Sequence, residues 1–547
     1  MEQKLFTITK YPYSKDYTTT DFEKWILPND YHCLYILDNG TQAYIGETLV
    51  AKIRAGQHKN KYWKLDFNRI HIITSDLMEE TPAKHYEKLL IKLMKIDGMY
   101  KVINHNKGNK THYQRSTQFE LYFDKLWDEL VAEKLVKAKS FQFILNSNTY
   151  KYSPYIELNK EQDSALQHIM TVLDSRAQDP YSHEHQCRPI LINGSAGTGK
   201  TVVATSLFHY LRNHDTYKNM SIALIEANVQ MRDILQRVFK QVGDGLSESD
   251  VISPIELTKR RYNIVICDEV HALRRRENLV YYKTYFDEGN SRLGLDKTHD
   301  ELDWILQQSD YPILFYDAKQ CVKHSDIRDS YVQERIQKNH NRGFRPIELK
   351  SQMRIKAGRT YVPYIYDILH QKAKRKRTFQ YYDFKMFSSF ENMRTEIKAK
   401  ETKYGLSKLC GGYAWKWVSK EDPSLFDIHI DRQKIRWNNS KIKNWVRHEA
   451  SKEQMGSLYT LRGIDLNYAG VVVGPDLYFD KKDCQIKVNI SSLYSKDVTR
   501  GATEDEIKEY VLNTYAILFT RAIEGTYVYV CDDALREYFK SFMDLNE

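Results

Sequence analysis

The chain has 547 residues, of which 41% are hydrophobic and 28% charged, as expected for a globular protein of several domains. No apolar run is long enough to span a membrane, and the first residues lack the pattern of a secretion signal, so we expect no membrane partner. Seven scattered cysteines without a CxxC pair exclude a disulfide or zinc scaffold and predict reduced thiols in a cytoplasmic protein. The net charge of +10 is compatible with a nucleic-acid partner.

The first predicted elements form a β-hairpin followed by helices. Residues 33–37 and 42–45 are apolar runs typical of strands, and they flank the turn sequence Asp38-Asn39-Gly40. Residues 84–94 have the spacing of an amphipathic helix. This pattern predicts a small α/β domain in the first 110 residues.

Several polar residues accompany these elements. Arg54 and His58 are one helical turn apart and share a face. Glu87 lies on the predicted helix near its apolar stripe, and Asn104 follows that helix. These residues become candidates only through the resemblance described next.

The segments Cys33-Leu34-Tyr35 and Tyr44-Ile45-Gly46-Glu47-Thr48 resemble the two signature strands of GIY-YIG nucleases, and the later candidates match that family in order and approximate spacing. The resemblance implies a small α/β nuclease with one divalent metal, and it implies the candidate set Tyr35, Tyr44, Arg54, His58, Glu87 and Asn104. The chemistry agrees, because phosphodiester hydrolysis needs an activated water, a cation near the leaving oxygen, and donors for the extra negative charge. It also implies that Tyr35 is the general base or helps to form it, and that Glu87 is a metal ligand. Arg54 would stabilise the transition state, assisted by Tyr44 and His58. Asn104 would order the site. Cys33 stands where the family usually has glycine. A retained fold without catalysis is the alternative.

Residues 111–156 are predicted to connect this domain to the rest of the chain. Residues 119–130 form an amphipathic helix pattern, and the residues after them are mostly typical of loops. The connector is either rigid or a hinge that lets the first domain swing.

A phosphate-binding loop is predicted at residues 194–201, between an apolar strand and a helix. Its glycines, which include Gly194, Gly197 and Gly199, let backbone N–H groups turn toward phosphate oxygens. Lys200 is placed to reach the outer phosphates, and the Thr201 hydroxyl to hold Mg²⁺. This pattern predicts an ATP site.

Two further predicted strands end in polar residues suited to nucleotide hydrolysis. The strand 263–267 ends in Asp268, predicted to hold Mg²⁺ through water, and Glu269, predicted to polarise the attacking water. The strand 313–316 is followed by Gln320, a candidate sensor of the γ-phosphate. Gln162 precedes the phosphate loop by some thirty residues, and its amide can read both the donor and the acceptor of an adenine edge.

Two arginines complete the predicted cleft. Arg354 and Arg521 are candidates to reach the phosphates from outside the loop, because this chemistry otherwise lacks a trans-acting cation.

These motifs, in this order, resemble superfamily 1 helicases, and they are most similar to the helicase-like domain of long Schlafen proteins. The resemblance covers roughly residues 157–547. It implies two RecA-like domains with doubly wound parallel sheets, 157–345 and 346–547, with ATP in the cleft between them. Arg462 stands where the family usually has Gln, and Asp465, implied to contact the ribose, where Glu is usual.

Two basic runs, 372–377 and 274–276, are candidate contacts for nucleic acid, although such runs are usually solvated. The aromatic stretch 411–417 is predicted to pack inside the second RecA-like domain.

The sequence as a whole predicts an ATP-dependent translocase or helicase joined to a metal-dependent endonuclease. DNA is favoured over RNA, in a setting of defence against foreign DNA or of repair. One alternative is an RNA-directed nuclease-helicase. Another is an ATP-switched sensor that licenses the nuclease without unwinding. Self-association or an accessory protein is left open.

Overall fold

The chain folds into two compact units, Met1–Tyr155 and Ile156–Glu547. None of the described helices is long and apolar enough to cross a membrane. His58, one of the predicted site residues, lies outside the described residues. The computed structural model describes residues 4–14, 16, 32–51, 54, 57, 65–104, 122–177, 187, 189–277, 282–338 and 345–546.

The first unit is built on a five-stranded sheet in the order β1-β4-β2-β3-β5. The predicted hairpin forms its centre, where β2 pairs antiparallel with both β3 and β4. Only β3 and β5 run parallel. The strands are β1 Thr7–Pro12, β2 Cys33–Asp38, β3 Gln42–Thr48, β4 Arg69–Thr74 and β5 Lys101–Val102.

Helix α1 covers one face of this sheet and extends the predicted helix at both ends. The segment predicted as a connector contributes to the same hydrophobic core, in which Phe123 and Trp127 cluster with Leu34 and Leu90. Its described residues therefore belong to the first unit, because the apolar stripe of α2 is buried there. The helices are α1 Glu80–Asp97, α2 Phe123–Ala132, α3 Phe141–Leu145 and α4 Asn148–Tyr152.

The second unit contains two sheets, each the centre of a lobe. The first lobe has a six-stranded sheet in the order β11-β6-β10-β9-β7-β8, and every neighbouring pair is parallel. Its strands are β6 Ile190–Gly194, β7 Ile222–Ile225, β8 Val251–Ile252, β9 Tyr262–Cys267, β10 Ser309–Tyr316 and β11 Ile347–Leu349. Its helices are α5 Lys160–Ala177, α6 Lys200–Asn213, α7 Val229–Val242, α8 Pro254–Leu257, α9 Glu288–Leu293, α10 Glu301–Gln307 and α11 Asp329–Lys338.

Strand β11 corrects the predicted boundary between the two RecA-like domains. We predicted that the second domain begins at residue 346, yet Ile347–Leu349 pairs with β6 in the first sheet. The first lobe therefore continues through Leu349. The residues just before β11 are mostly polar, and β11 itself has only three residues. The sequence therefore shows no apolar pattern that would predict a strand there.

The second lobe has an eight-stranded sheet in the order β14-β15-β16-β13-β17-β20-β12-β21. Every neighbouring pair except β14 and β15 is parallel. Its strands are β12 Asp383–Phe387, β13 Ser407–Gly411, β14 Ile428–Ile430, β15 Gln433–Trp437, β16 Gln454–Ser457, β17 Leu466–Val473, β20 Ala522–Val530 and β21 Asp544–Asn546, with a separate hairpin of β18 Leu477–Asp480 and β19 Gln485–Val488. The helices are α12 Tyr361–Leu369, α13 Phe390–Tyr404, α14 Leu458–Leu461, α15 Lys496–Thr499, α16 Glu504–Phe519 and α17 Asp533–Lys540.

Two parallel-sheet lobes agree with the predicted RecA-like architecture. Hydrogen bonds join them: Asn513 Nδ2 donates to the Cys321 carbonyl at 3.0 Å, and Arg328 Nη1 to Glu506 Oε1 at 2.5 Å. The phosphate loop, the pair Asp268 and Glu269, and Gln320 follow the carboxyl ends of β6, β9 and β10 in that order, where open parallel sheets bind ligands.

Candidate functional site

The loop after β6 has the backbone shape of a phosphate cradle. Gly197 and Gly199 adopt φ of +83° and +81°, a region that residues with a Cβ rarely occupy. Lys200 Nζ donates to the Gly194 carbonyl at 2.7 Å and lies 3.7 Å from Asp317 Oδ2. The Lys200 ammonium therefore rests inside the loop, where a phosphate can compete for it.

Gln162 is hydrogen-bonded to the backbone of this loop. Its Nε2 donates to the Thr198 carbonyl at 2.9 Å, and its Oε1 accepts from the Asn159 N–H at 3.0 Å. Both ends of the amide are thus engaged by protein. The adenine contact that we predicted for Gln162 stays a prediction, and it requires at least one of these bonds to open.

Thr201 and Asp268 meet at the predicted Mg²⁺ site. Thr201 Oγ1 donates to Asp268 Oδ2 at 2.6 Å, although the two residues are 67 positions apart. Burial and the neighbouring Glu269 carboxylate raise the pKa of Asp268 to about 7. A divalent cation would relieve this repulsion, so the donor set fits Mg²⁺.

Glu269 is held in place by His271, to which we assigned no role from the sequence. His271 Nδ1 accepts from the Asp317 N–H at 3.3 Å, and its Nε2 lies 2.6 Å from Glu269 Oε2 in a close charge pair. Burial opposes ionisation of Glu269, but His271 and Lys200 hold its pKa well below the usual value. Glu269 also has a φ of +54°, a strained value for a residue with a side chain.

Gln320 links the phosphate loop to the second lobe. Its Nε2 donates to Asp317 Oδ2 at 2.7 Å, and Asp317 in turn faces Lys200. Arg462 Nη2 donates to the Gln320 carbonyl at 3.2 Å. Burial works against the Arg462 charge, yet Asp326 and Glu269 raise its pKa overall. Arg462 thus contacts the first lobe from the second.

The two predicted arginines differ in their surroundings. Arg354 Nη1 donates to Asp465 Oδ1 at 2.7 Å. Arg521 is only 3% exposed, and its Nε has no hydrogen-bond acceptor within the part of the chain that the structure describes. Burial, followed by repulsion from Arg354, lowers the pKa of Arg521 to about 10, so it remains charged at neutral pH. Nearby Glu269 contributes a favourable charge.

In the first unit, the two predicted strands bring Tyr35 and Tyr44 together. Tyr35 pairs across the hairpin with Gly46, where a Cβ would overlap the Tyr35 hydroxyl. The two tyrosine rings stack with centroids 6.2 Å apart. Arg54 is hydrogen-bonded to Tyr35. The glycine is therefore required because the Tyr35 hydroxyl crosses directly over the neighbouring strand.

Glu87 faces the same end of the hairpin from α1. Burial and the nearby Glu47 carboxylate raise the pKa of Glu87 to about 7. His32 Nδ1 lies 3.5 Å from Glu47 Oε2. Two carboxylates that repel each other fit a divalent cation, although the described residues contain no cluster of three or more His, Cys, Asp or Glu. We had not assigned a role to Glu47 from the sequence.

Asn104 fixes the edge of this site. Its Oδ1 accepts from the Ile45 N–H at 3.0 Å, and its Nδ2 donates to the Ile45 carbonyl at 2.7 Å. The buried amide thus replaces a missing strand neighbour beside Tyr44 and Gly46, and the ordering role of Asn104 in a nuclease site stays a prediction.

The profile of one family, described as Schlafen group 3, DNA/RNA helicase domain, matches residues 188–532. The chain belongs to this family. Its second unit is therefore a Schlafen helicase domain with a nucleotide-binding phosphate loop. An uncharacterized protein of Saccharomyces cerevisiae is 23% identical over 435 residues, which cover 70% of this chain and 90% of that protein.

Solved helicase structures resemble the Schlafen chain only distantly. Arterivirus nonstructural protein 10, a helicase, has a TM-score of 0.29 and 13% identity over 65% of this chain and 62% of its own. Pif1 helicase from Bacteroides, solved with ADP-AlF3 and ssDNA, has a TM-score of 0.27 and 12% identity over 70% of this chain and 93% of its own.

The two basic runs of this Schlafen chain differ in how far their side chains pair with carboxylates of the protein. Arg274 donates to the buried Glu301 at 2.8 Å, and Arg276 to Asp287 at 2.7 Å, so the first run is engaged by the protein itself. Residues 372–377 are largely exposed, although Lys376 pairs with Asp544 at 2.5 Å. The second run remains the more available of the two for nucleic acid.

Proposed function

We propose that the chain is an ATP-driven DNA translocase or helicase whose first unit is a GIY-YIG endonuclease. The helicase part rests on the family match together with one feature of the cleft, the buried Arg521 side chain, whose Nε has no hydrogen-bond partner among the described residues and whose charge interacts with that of Glu269. A buried donor without an acceptor is costly, and a nucleotide phosphate would satisfy it.

In this proposal the nucleotide cleft works by positioning and charge. Lys200 leaves the Gly194 carbonyl for the outer phosphates, and Glu269, ionised and held by His271, orients the attacking water. Arg521 stabilises the negative charge that develops on the transferred group. Thr201 and Asp268 would hold Mg²⁺, which when bound supplies positive charge beside the phosphates.

The nuclease part rests on the Tyr35, Tyr44 and Glu87 arrangement. Tyr35 acts on the attacking water as base or as its helper, and Arg54 beside it stabilises the extra negative charge. Glu87 would hold a divalent metal, which when bound supplies a Lewis acid beside the scissile phosphate. Defence against foreign DNA, or repair, is the setting that suits this pairing of activities.

The decisive experiment compares Glu87→Ala with Lys200→Ala on labelled DNA and RNA, with Mg²⁺ and ATP. We expect Glu87→Ala to abolish cutting and to leave ATP turnover intact. We expect Lys200→Ala to abolish ATP turnover and to leave intact any cutting that does not require ATP. Cutting by Glu87→Ala at the wild-type rate contradicts the nuclease assignment. Stimulation of ATP turnover by RNA alone favours the RNA-directed alternative, and stimulation without strand displacement favours the sensor.

A further inference from the structure

A cavity of about 250 Å³ lies in the second unit, away from the phosphate loop. Drug-sized ligands occupy pockets of about 300–1,000 Å³, so this one suits a single flat group such as a nucleobase. Six aromatic side chains line it: Tyr413, Trp415, Trp417, Trp437, Tyr459 and Tyr494. The sequence predicts only core packing for the 411–417 stretch.

The fold explains why these rings meet. Strands β15, β16 and β13 are consecutive neighbours in the sheet and run parallel. Trp437 ends β15, Tyr459 follows β16, and Tyr413 follows β13. The pocket therefore opens at the carboxyl edge of three parallel strands, the edge at which such sheets bind ligands.

Its polar lining suits a base better than a cation. The lining residues include no Asp or Glu. Asn438 Oδ1 accepts from the Ser457 N–H at 2.9 Å, and the orientation of that amide fixes its Nδ2 as a donor. Aromatic faces that stack a base, together with a fixed amide that can bond its edge, are the usual means of holding an unpaired base.

The surroundings fit a strand that carries phosphates. Exposed lysines follow β13 and β15 in the same two loops, and none pairs with a carboxylate among the described residues. They are Lys416, Lys420, Lys441 and Lys443. Tyr494 on the pocket wall is 54% exposed, and Val229, beside the lining residue Gln230, is 68% exposed.

The pocket also touches the machinery of the cleft. Gln230 belongs to α7 of the first lobe, so both lobes line the cavity. Tyr459 and Thr460 lie on α14, and Arg462 immediately after that helix donates to the Gln320 carbonyl at 3.2 Å. A displacement of α14 therefore reaches Gln320 and, through Asp317, Lys200.

We propose that this pocket takes one nucleobase from a single-stranded nucleic acid, and that its filling is transmitted to the nucleotide cleft through α14 and Arg462. The proposal rests on the proposed helicase function and names a place where the strand is held. The stacking tolerates any base, so the pocket grips the strand without reading its sequence.

The test measures binding of the full chain to labelled thymidine and uridine single strands, and to abasic strands of the same length, by fluorescence anisotropy. The wild type is expected to bind the strands with bases about tenfold more tightly than the abasic ones. Trp417→Ala and Tyr494→Ala should each weaken binding to the strands with bases by roughly five- to a hundredfold and leave abasic binding unchanged. Trp417→Phe and Tyr494→Phe should retain most of the preference.

Phe143→Ala, which removes a 61% exposed aromatic side chain from the first unit, is the matched control and should change neither affinity. Thermal melting checks that each variant folds. If Trp417→Ala does not fold, the binding of Tyr494→Ala decides the test. Pocket variants that bind both kinds of strand as the wild type does, or lose both equally, overturn the proposal. If no strand raises ATP turnover in the wild type, the helicase proposal itself fails, whereas equal stimulation of wild type and pocket variants contradicts the pocket alone.

Discussion

Arg354 Nη1 donates to Asp465 Oδ1 at 2.7 Å, so two residues that are both predicted to serve the nucleotide are bonded to each other in this structure. Arg521 has no such partner among the described residues. Before a nucleotide binds, Arg354 is therefore bonded to a carboxylate and Arg521 is not. Arg354 must break a charged hydrogen bond before it can reach a phosphate, and Arg521 need not.

This difference predicts unequal effects on ATP turnover. Arg521→Ala should lower kcat about a thousandfold, because it removes charge that acts on the transferred phosphate. Arg521→Lys should restore little, since an ammonium lacks the forked geometry of guanidinium. Arg354→Ala should lower kcat less than Arg521→Ala does. Steady-state ATPase assays measure all three.

Thermal melting provides the control for these variants. Because Arg521 is a buried charge whose Nε has no acceptor among the described residues, its replacement by Ala should not destabilise the second unit through loss of an ion pair. An Arg521→Ala protein that melts like the wild type yet hydrolyses ATP within threefold of the wild-type rate would show that Arg521 is not the finger.

The pair of Glu269 and His271 predicts a graded loss of hydrolysis. Glu269→Gln should abolish turnover while ATP still binds, because the water loses its polarising carboxylate. His271→Ala should lower kcat by about 10- to 100-fold with little change in KM, because the carboxylate remains but its orientation is lost. A fluorescent ATP analogue separates binding from turnover.

His299→Ala is the matched control for His271. His299 Nδ1 also lies close to a carboxylate, Asp296 Oδ1 at 2.9 Å, but on an exposed part of the same lobe. This substitution should leave kcat unchanged. Equal kcat values for His271→Ala and the wild type would remove His271 from the positioning of Glu269.

The sequence predicts the local part of this cleft well and the long-range part poorly. The phosphate loop and the acids after β9 are contiguous motifs, and Thr201 and Asp268 meet because their strands belong to one parallel sheet. The pairing of Arg354 with Asp465 spans 111 residues and depends on how two lobes close, which no local pattern records. His271 could have been noticed, because it lies two residues after Glu269.

The predicted positions of the lobe boundary and of the connector were wrong for the same reason, because both depend on contacts between distant parts of the chain. Strand β11 has only three residues, too short for periodicity to reveal, so its pairing with β6 moved the lobe boundary past Leu349. The apolar stripe of α2 was visible in the sequence, but the surface that buries it was not. That surface is the core of the first unit around Leu34 and Leu90.

Gly46 provides a test of the predicted nuclease site that spares its polar residues. Gly46→Ala places a methyl group against the Tyr35 hydroxyl, which should destabilise the first unit by about 1–3 kcal/mol and abolish cutting. The double variant Tyr35→Ala with Gly46→Ala removes the overlap but leaves the space of a buried ring empty, so it should remain about 3–5 kcal/mol less stable than the wild type and should not cut. Urea unfolding and cleavage of labelled DNA give the two readouts.

Thr41→Ala, in the exposed turn of the same hairpin, controls for a general effect on the sheet. It should preserve cutting. If the double variant cuts DNA as well as the wild type, then Tyr35 is not part of the chemistry, and the hairpin has only a structural role.

Asp38 predicts how the first unit responds to acid. It is fully buried, and it accepts hydrogen bonds from Arg69 Nε at 3.0 Å and His71 Nε2 at 2.9 Å. Burial acts against the carboxylate, but His71, Arg69 and the Gly40 N–H together lower its pKa. Its stabilising contribution is therefore present above the unfolded pKa of about 3.9 and is lost as pH falls through the lower folded value.

Asp38→Asn should accordingly reduce the free energy of unfolding of the first unit by about 3 kcal/mol near pH 7, because the buried network loses its negative charge and one of its two acceptor oxygens. The difference from the wild type should shrink as pH falls below about 4, where protonation removes the same charge from the wild type. Urea unfolding of the full chain, followed by a probe in the first unit, measures this difference. Asp76→Asn, at an exposed position, is the control and should leave the free energy of unfolding at pH 7 close to that of the wild type. A difference between Asp38→Asn and the wild type that is constant from pH 7 to pH 3 would mean that the carboxylate charge contributes nothing to this network.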